Sequence, residues 1–153
     1  MAPVGPRIEL GFKATETGTR AALTDVIGRL RDGGLESTML GCIEIVLAET
    51  LNNIVEHACA GQPDGQVRVR ARLTDLYLLV IVVDNGRPYP GNRLPPYAQP
   101  AVACELDSLP EGGFGWALIR ELTDHVQYRR HRNRNVLTLS IFLERELSRA
   151  FCR

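Results

Sequence analysis

Apolar positions along the chain recur with two different periods, and the switches between them mark its elements. Leu23, Val26, Ile27 and Leu30 fall three and four residues apart, as on one face of a helix, and Gly33-Gly34 ends that helix. Ile43, Val46, Leu47, Leu51, Ile54 and Ala58 keep the same period, so a second helix is predicted from about Ser37 to Ala60. The turn Gly61–Gly65 stops it. Val67–Leu73 alternates with period two instead, aliphatics against arginines, the pattern of a strand with one buried face. Leu76–Val83 is nearly all apolar and predicts a central strand, covered on both faces or heavily packed on one.

Arg7–Phe12 reads as an edge strand, Trp116–Thr123 as a short helix, and Val126–His131 and Val136–Leu143 as strands joined by a tight turn. Between Asp84 and Glu111 neither period survives, and six of the nine prolines fall there. A structureless segment of that length inside a compact domain is usually functional or mobile. Helices gathered beside such strands make an α/β two-layer sandwich: a mixed, mostly antiparallel sheet with its helices on one face. A single domain over residues 1–153 is expected, its core at about 7–143.

Charge and cysteine usage narrow the function classes. Eighteen basic residues balance eighteen acidic ones, which argues against direct binding to nucleic acid. No apolar run approaches the ~20 residues of a spanning helix, and the start MAPVGPRIEL lacks a signal-peptide layout. No membrane association is expected. Cys42, Cys59, Cys104 and Cys152 show no CxxC pair and no metal-ligand spacing, and read as reduced thiols of a cytoplasmic protein. The basic run from Arg129 to Arg134 reads as a solvated turn. Tyr89 and Tyr97 read as loop packing, and the Arg68, Arg70 and Arg72 stripe as the open face of the sheet, free to meet an acidic partner.

Three stretches hold candidate chemistry. On the second helix, Glu49, Asn53 and His57 are spaced i, i+4, i+8 and form a ladder beside the apolar stripe, whereas Asn52 points to solvent. An amide oxygen at Asn53 suits a Mg²⁺ otherwise held by phosphate oxygens and water. A carboxylate one turn away, Glu49, can take the proton of an incoming hydroxyl. A surface pair and a satisfied histidine would explain this helix equally well. Asp84, with Gly86 two residues on, ends the most buried strand, where a carboxylate can accept a hydrogen bond from an exocyclic amine such as that of adenine. Gly86 would let backbone approach a flat ring. Gly112, Gly113, Phe114 and Gly115 precede a helix, where backbone N–H groups favour phosphate.

In this order, ExxxN, DxG and GGxG resemble the N, G1 and G2 boxes of the GHKL ATP-binding superfamily, the Bergerat fold. With His57-Ala58, EGGFGWALI (111–119), Leu122–Val126 and Asn135–Leu139, the chain is similar to the bacterial anti-sigma factor serine-protein kinase branch over residues 7–143. The resemblance implies Glu49 as catalytic base and Asn53 as Mg²⁺ ligand. It implies Asp84 and Gly86 at adenine, Gly112 to Gly115 at the phosphates, and residues 87–111 as a lid over ATP. It further implies a homodimer that phosphorylates a small anti-sigma antagonist and sequesters a sigma factor. Arg87-Pro88 replaces a glycine often found there, and Trp116 stands where leucine is usual. The alternatives are a nucleotide-gated binding module without phosphotransfer, and a detached histidine-kinase catalytic domain. The lack of a phospho-acceptor helix before residue 7 argues against the latter.

Overall fold

A computed structural model describes residues 5–96 and 114–143. The period-two stretches form strands β1 (Arg7–Lys13), β2 (Gln66–Leu73), β3 (Tyr77–Asp84), β4 (His125–His131) and β5 (Arg134–Phe142). They make one sheet in the order β1-β2-β3-β5-β4, with every neighbouring pair antiparallel. Helices α1 (Glu16–Asp32), α2 (Ser37–Asn53) and α3 (Phe114–Leu122) account for the 3.6-residue period. Thr15 caps α1, its hydroxyl oxygen accepting from Gly18 N–H at 3.0 Å.

Alternation decides which face of the sheet is covered. Val67, Val69, Ala71, Leu78, Val80, Val82, Leu137, Leu139 and Ile141 are buried in one core with Val26, Leu30, Ile43, Leu47, Leu51 and Ile119 of the helices. On the opposite face Arg68, Arg70 and Arg72 are exposed, and Arg70 Nε donates to Glu9 Oε1 at 3.1 Å. The nearly all-apolar β3 is therefore central but helix-covered on one face only. Its outward Leu79, Ile81 and Val83 are merely half-buried. The architecture is the expected two-layer α/β sandwich.

The second helix departs from its expected form. Regular α-helix ends at Asn53, and Ile54–Ala58 form a π-turn in which Cys59 N–H reaches Ile54 O at 2.7 Å, five residues back. A wider turn resets the faces of whatever follows it. The combined span Ser37–Ala58, 22 residues, is long and apolar enough to cross a bilayer by length and composition, contrary to the reading that no run approaches that size. Here its apolar side chains serve the core instead: Leu40, Ile43, Val46, Leu47 and Leu51 are buried, and the helix packs on α1 and α3.

The β4–β5 hairpin turns through Arg132 and Asn133, both at positive φ (48° and 60°), as a two-residue turn with the right-handed twist of the flanking strands requires. That register sets Asn135 of β5 directly opposite Asp84 of β3.

Candidate active site

The ladder on α2 is half as long as its spacing predicts. Asn53 is 9% exposed and Glu49 half-buried, while Asn52 is exposed. The two asparagines thus divide as helical periodicity requires. His57 lies within the π-turn and is exposed, so it leaves the ladder.

The start of α3 is pressed against the remaining pair. A Cβ built on Gly115 would lie 2.6 Å from Glu49 Oε2 and 3.7 Å from Asn53 Nδ2. No side chain other than hydrogen fits there without moving the carboxylate. Asn53 Nδ2 is buried with no hydrogen-bond partner among the described residues. A buried carboxamide with one unused end is costly, and suits a residue whose last partner is a ligand. A half-turn of the amide presents Oδ1 at the same place, the atom a hard cation takes. Among the described residues no three His, Cys, Asp or Glu side chains gather as a metal cluster. The unpartnered carboxamide of Asn53 fits a hard cation that takes its other oxygens from a ligand and water.

The far end of the π-turn meets the end of β3. A Cβ on Gly86 would lie 2.5 Å from both the carbonyl carbon and the oxygen of Ala58, and Arg87 N–H donates to Ala58 O at 2.7 Å. Glycine at 86 is thus required by protein backbone, whatever else approaches that position. One continuous helical run, from Glu49 to Ala58, links the carboxylate–carboxamide pair to the strand end that bears Asp84.

Asp84 is 5% exposed. Its Oδ1 accepts from Gly86 N–H and from Asn135 Nδ2, both at 2.8 Å, which leaves Oδ2 for a further donor. Burial raises its carboxyl above the ordinary value of 3.8, opposed by those two hydrogen bonds and by the charge of Arg130. Burial, with the charges of Asp84 and Asp64, pushes the Cys59 thiol up to about 11, so this cysteine is an inert packing group.

Several residues around Asp84 were not legible as part of a site. Arg130 belongs to the basic run read as a solvated turn, yet it is half-buried and its Nη1 donates to Gly86 O at 2.7 Å. The signal was there in the alternation of β4, which puts Val126, Tyr128 and Arg130 on the inward face. Tyr89 packs as the sequence suggested, edge-on to Trp116 at 5.5 Å and to Tyr128 at 5.0 Å between ring centroids. Trp116, 7% exposed, thereby joins the start of α3 to the segment leaving β3. Gly112, Gly113, the side chain of Phe114 and most of the expected lid lie outside the described residues. Concavity alone does not find this site: a cavity of about 390 Å³ opens at the other end of the sheet, beside Glu36, Met39, Leu73 and Asp75.

The sequence profile of the histidine kinase-like ATPase domain matches residues 12–141. The chain belongs to that family. Its relatives include the serine-protein kinase RsbW of Bacillus pumilus, 33% identical over 110 residues, a match covering 68% of this chain and 65% of that protein. The serine-protein kinase RsbW of Bacillus subtilis is 31% identical over 93 residues, 58% of this chain and 56% of that protein. This family member thus spans less than two thirds of the length of those relatives. Among solved structures, the RsbU and RsbW domains of a Mycobacterium tuberculosis protein superpose with a TM-score of 0.63 at 19% identity, covering 89% of this chain and 32% of that one. The histidine kinase domain of the Erythrobacter litoralis blue-light activated histidine kinase gives 0.52 at 21% identity, covering 86% and 64%. These two likenesses concern the fold.

Proposed function

We propose that this chain is an ATP-dependent protein serine/threonine kinase of a partner-switching module. In this reading it acts in the cytoplasm, phosphorylates a small anti-sigma antagonist and, when free of it, holds a sigma factor. Its relatives' names support the kinase class, and the geometry supports the site. The observation that bears most weight is the convergence of Glu49, the unpartnered carboxamide of Asn53 and the bare Cα of Gly115.

Each residue has a role in this reading. Asp84 offers Oδ2 to the exocyclic amine of adenine, and Asn53 Oδ1 is the protein ligand that would hold Mg²⁺. Bound there, Mg²⁺ supplies charge neutralisation across the phosphate oxygens. Gly112, Gly113, Phe114 and Gly115 present backbone to the phosphates at the positive end of α3. Glu49 accepts the proton of the acceptor hydroxyl as its oxygen bonds to the γ-phosphorus and the bond from that phosphorus to the β-phosphate oxygen breaks, releasing ADP. Positioning and charge account for most of the rate in such a transfer, and a site without a nucleophile of its own suits it. The protein acts as a homodimer in this reading.

Incubation with ATP labelled on its γ-phosphate and the small antagonist captured from the native cell tests the reading. Label on a serine or threonine of the antagonist is the expected result. Nucleotide bound with no label transferred would instead identify a nucleotide-gated binding module.

A further inference from the structure

Asn135 is only 2% exposed, on the same inward face of β5 as Leu137, Leu139 and Ile141. An aliphatic side chain would fill such a position at less cost than an amide, which must find partners for every polar atom. Asn135 finds them all. Its Nδ2 donates to Asp84 Oδ1 and to Arg87 O, each at 2.8 Å. Its Oδ1 accepts from the Tyr128 hydroxyl at 2.7 Å and from Arg130 Nη1 at 2.9 Å. A carboxamide has two N–H donors and two acceptor lone pairs, so its capacity is fully used.

The two donors on the Oδ1 side decide which end of the amide faces Asp84. A flipped amide would set oxygen against the carboxylate and Arg87 O, and N–H against the guanidinium, and so lose three of its four bonds; only the Tyr128 hydroxyl could still pair, by accepting. The same donors also hold the backbone that follows Asp84. Arg130 Nη1 reaches Gly86 O at 2.7 Å, and the Tyr128 hydroxyl accepts from Tyr89 N–H at 3.2 Å. One buried side chain thus joins the strand-end carboxylate to residues 86–89.

We propose that Asn135 is the positioning residue of base selection: by occupying Asp84 Oδ1 it leaves Oδ2 as a single fixed acceptor for a 6-amino purine, against a 6-oxo purine. The inference rests on the nucleotide-binding reading above. Asn135 touches no nucleotide in it and acts through Asp84. Guanine presents a carbonyl where adenine presents an amine, and a carboxylate held in place meets it acceptor to acceptor. A carboxylate released from Asn135 can rotate or take up a proton, and then tolerates either base.

Titration calorimetry with ATP and with GTP, on the full chain at pH 7, tests this for wild type, Asn135→Asp, Asn135→Leu and Tyr128→Phe. Melting temperatures are measured on the same samples. The wild type is expected to prefer ATP. Asn135→Leu and Asn135→Asp should each shrink the ATP-to-GTP affinity ratio by about tenfold or more, because a fixed polar partner is lost. Tyr128→Phe, which removes one of two donors to Oδ1, should shrink it by a few-fold and carries the test if the Asn135 variants do not fold. An unchanged ratio in a wild-type background that binds ATP overturns the inference and leaves the nucleotide reading standing. Equal loss of both nucleotides with a lowered melting temperature also overturns it, in favour of a purely structural role. A wild type that binds neither nucleotide overturns both.

Discussion

Gly115 at the start of α3 sits directly over the carboxylate of Glu49, so close that a Cβ there would lie 2.6 Å from Oε2. The contact places a residue of the glycine-rich segment against the proposed catalytic base. Gly115→Ala should therefore push the carboxylate aside. Phosphotransfer should fall about a hundredfold, the usual cost of a misplaced reacting group. In a Glu49→Ala background, where the obstructed side chain is gone, the same change should cost little more. Single-turnover rates of the four proteins close this cycle. A Gly115→Ala penalty undiminished by Glu49→Ala would show that Gly115 does not act through Glu49.

Asn53 and Asn52 are adjacent, and only one is inside. Asn53→Ala should abolish the part of ATP affinity that depends on Mg²⁺, whereas Asn52→Ala should leave binding unchanged and shift stability by no more than about 0.5 kcal/mol. Calorimetry with and without Mg²⁺ measures both. Loss of binding in Asn52→Ala rather than in Asn53→Ala would mean the opposite helical face lines the site.

Asp84 should trade stability for binding. Burial raises its carboxyl above 3.8, so the folded chain holds that proton more tightly than the unfolded one. The resulting penalty is absent below the unfolded value and grows as pH rises through the folded value. Asp84→Asn retains an oxygen for Gly86 N–H and Asn135 Nδ2 but carries no charge. At pH 7 it should melt above the wild type, with the difference shrinking as pH falls toward 3.8, and should bind ATP more weakly. Melting curves across pH, paired with ATP titrations, check both halves. A variant that melts lower at pH 7 yet binds ATP normally would contradict the assignment.

Gly86→Ala should destabilise without regard to nucleotide. The added Cβ meets backbone of Ala58 at 2.5 Å, where no flexible side chain can yield. Overpacking of this kind costs about 1–3 kcal/mol. Urea unfolding of the nucleotide-free protein should register it. Unaltered stability would return Gly86 to a role at the ligand alone.

Most of the fold could be read from the sequence because period and burial coincide. The arginines of Val67–Leu73 and the stripe of Val46, Leu47 and Leu51 each declare a face, and the structure puts those faces where the pattern does. Glu49, Asn53 and Asp84 were legible for the same reason: polar groups at positions that periodicity marks as inside or at its edge. The π-turn was not, since no residue of Ile54–Ala58 advertises an i→i+5 bond, and with it went the placement of His57. Gly86 has a packing reason that the sequence could not show, because a sequence does not reveal that Ala58 lies against it. Asn135 and Arg130 were missed because their partners lie 51 and 44 residues away, at Asp84 and Gly86. Only strand register brings them together.

The most direct test of the account is transfer from ATP to the antagonist's hydroxyl, followed by intact-protein mass, for wild type and Glu49→Gln under identical ATP saturation. The account predicts one added phosphate on the antagonist with the wild type. With Glu49→Gln it predicts none on the same timescale, although that variant still binds ATP. Equal phosphorylation by both proteins, or none by either with ATP bound, would contradict it.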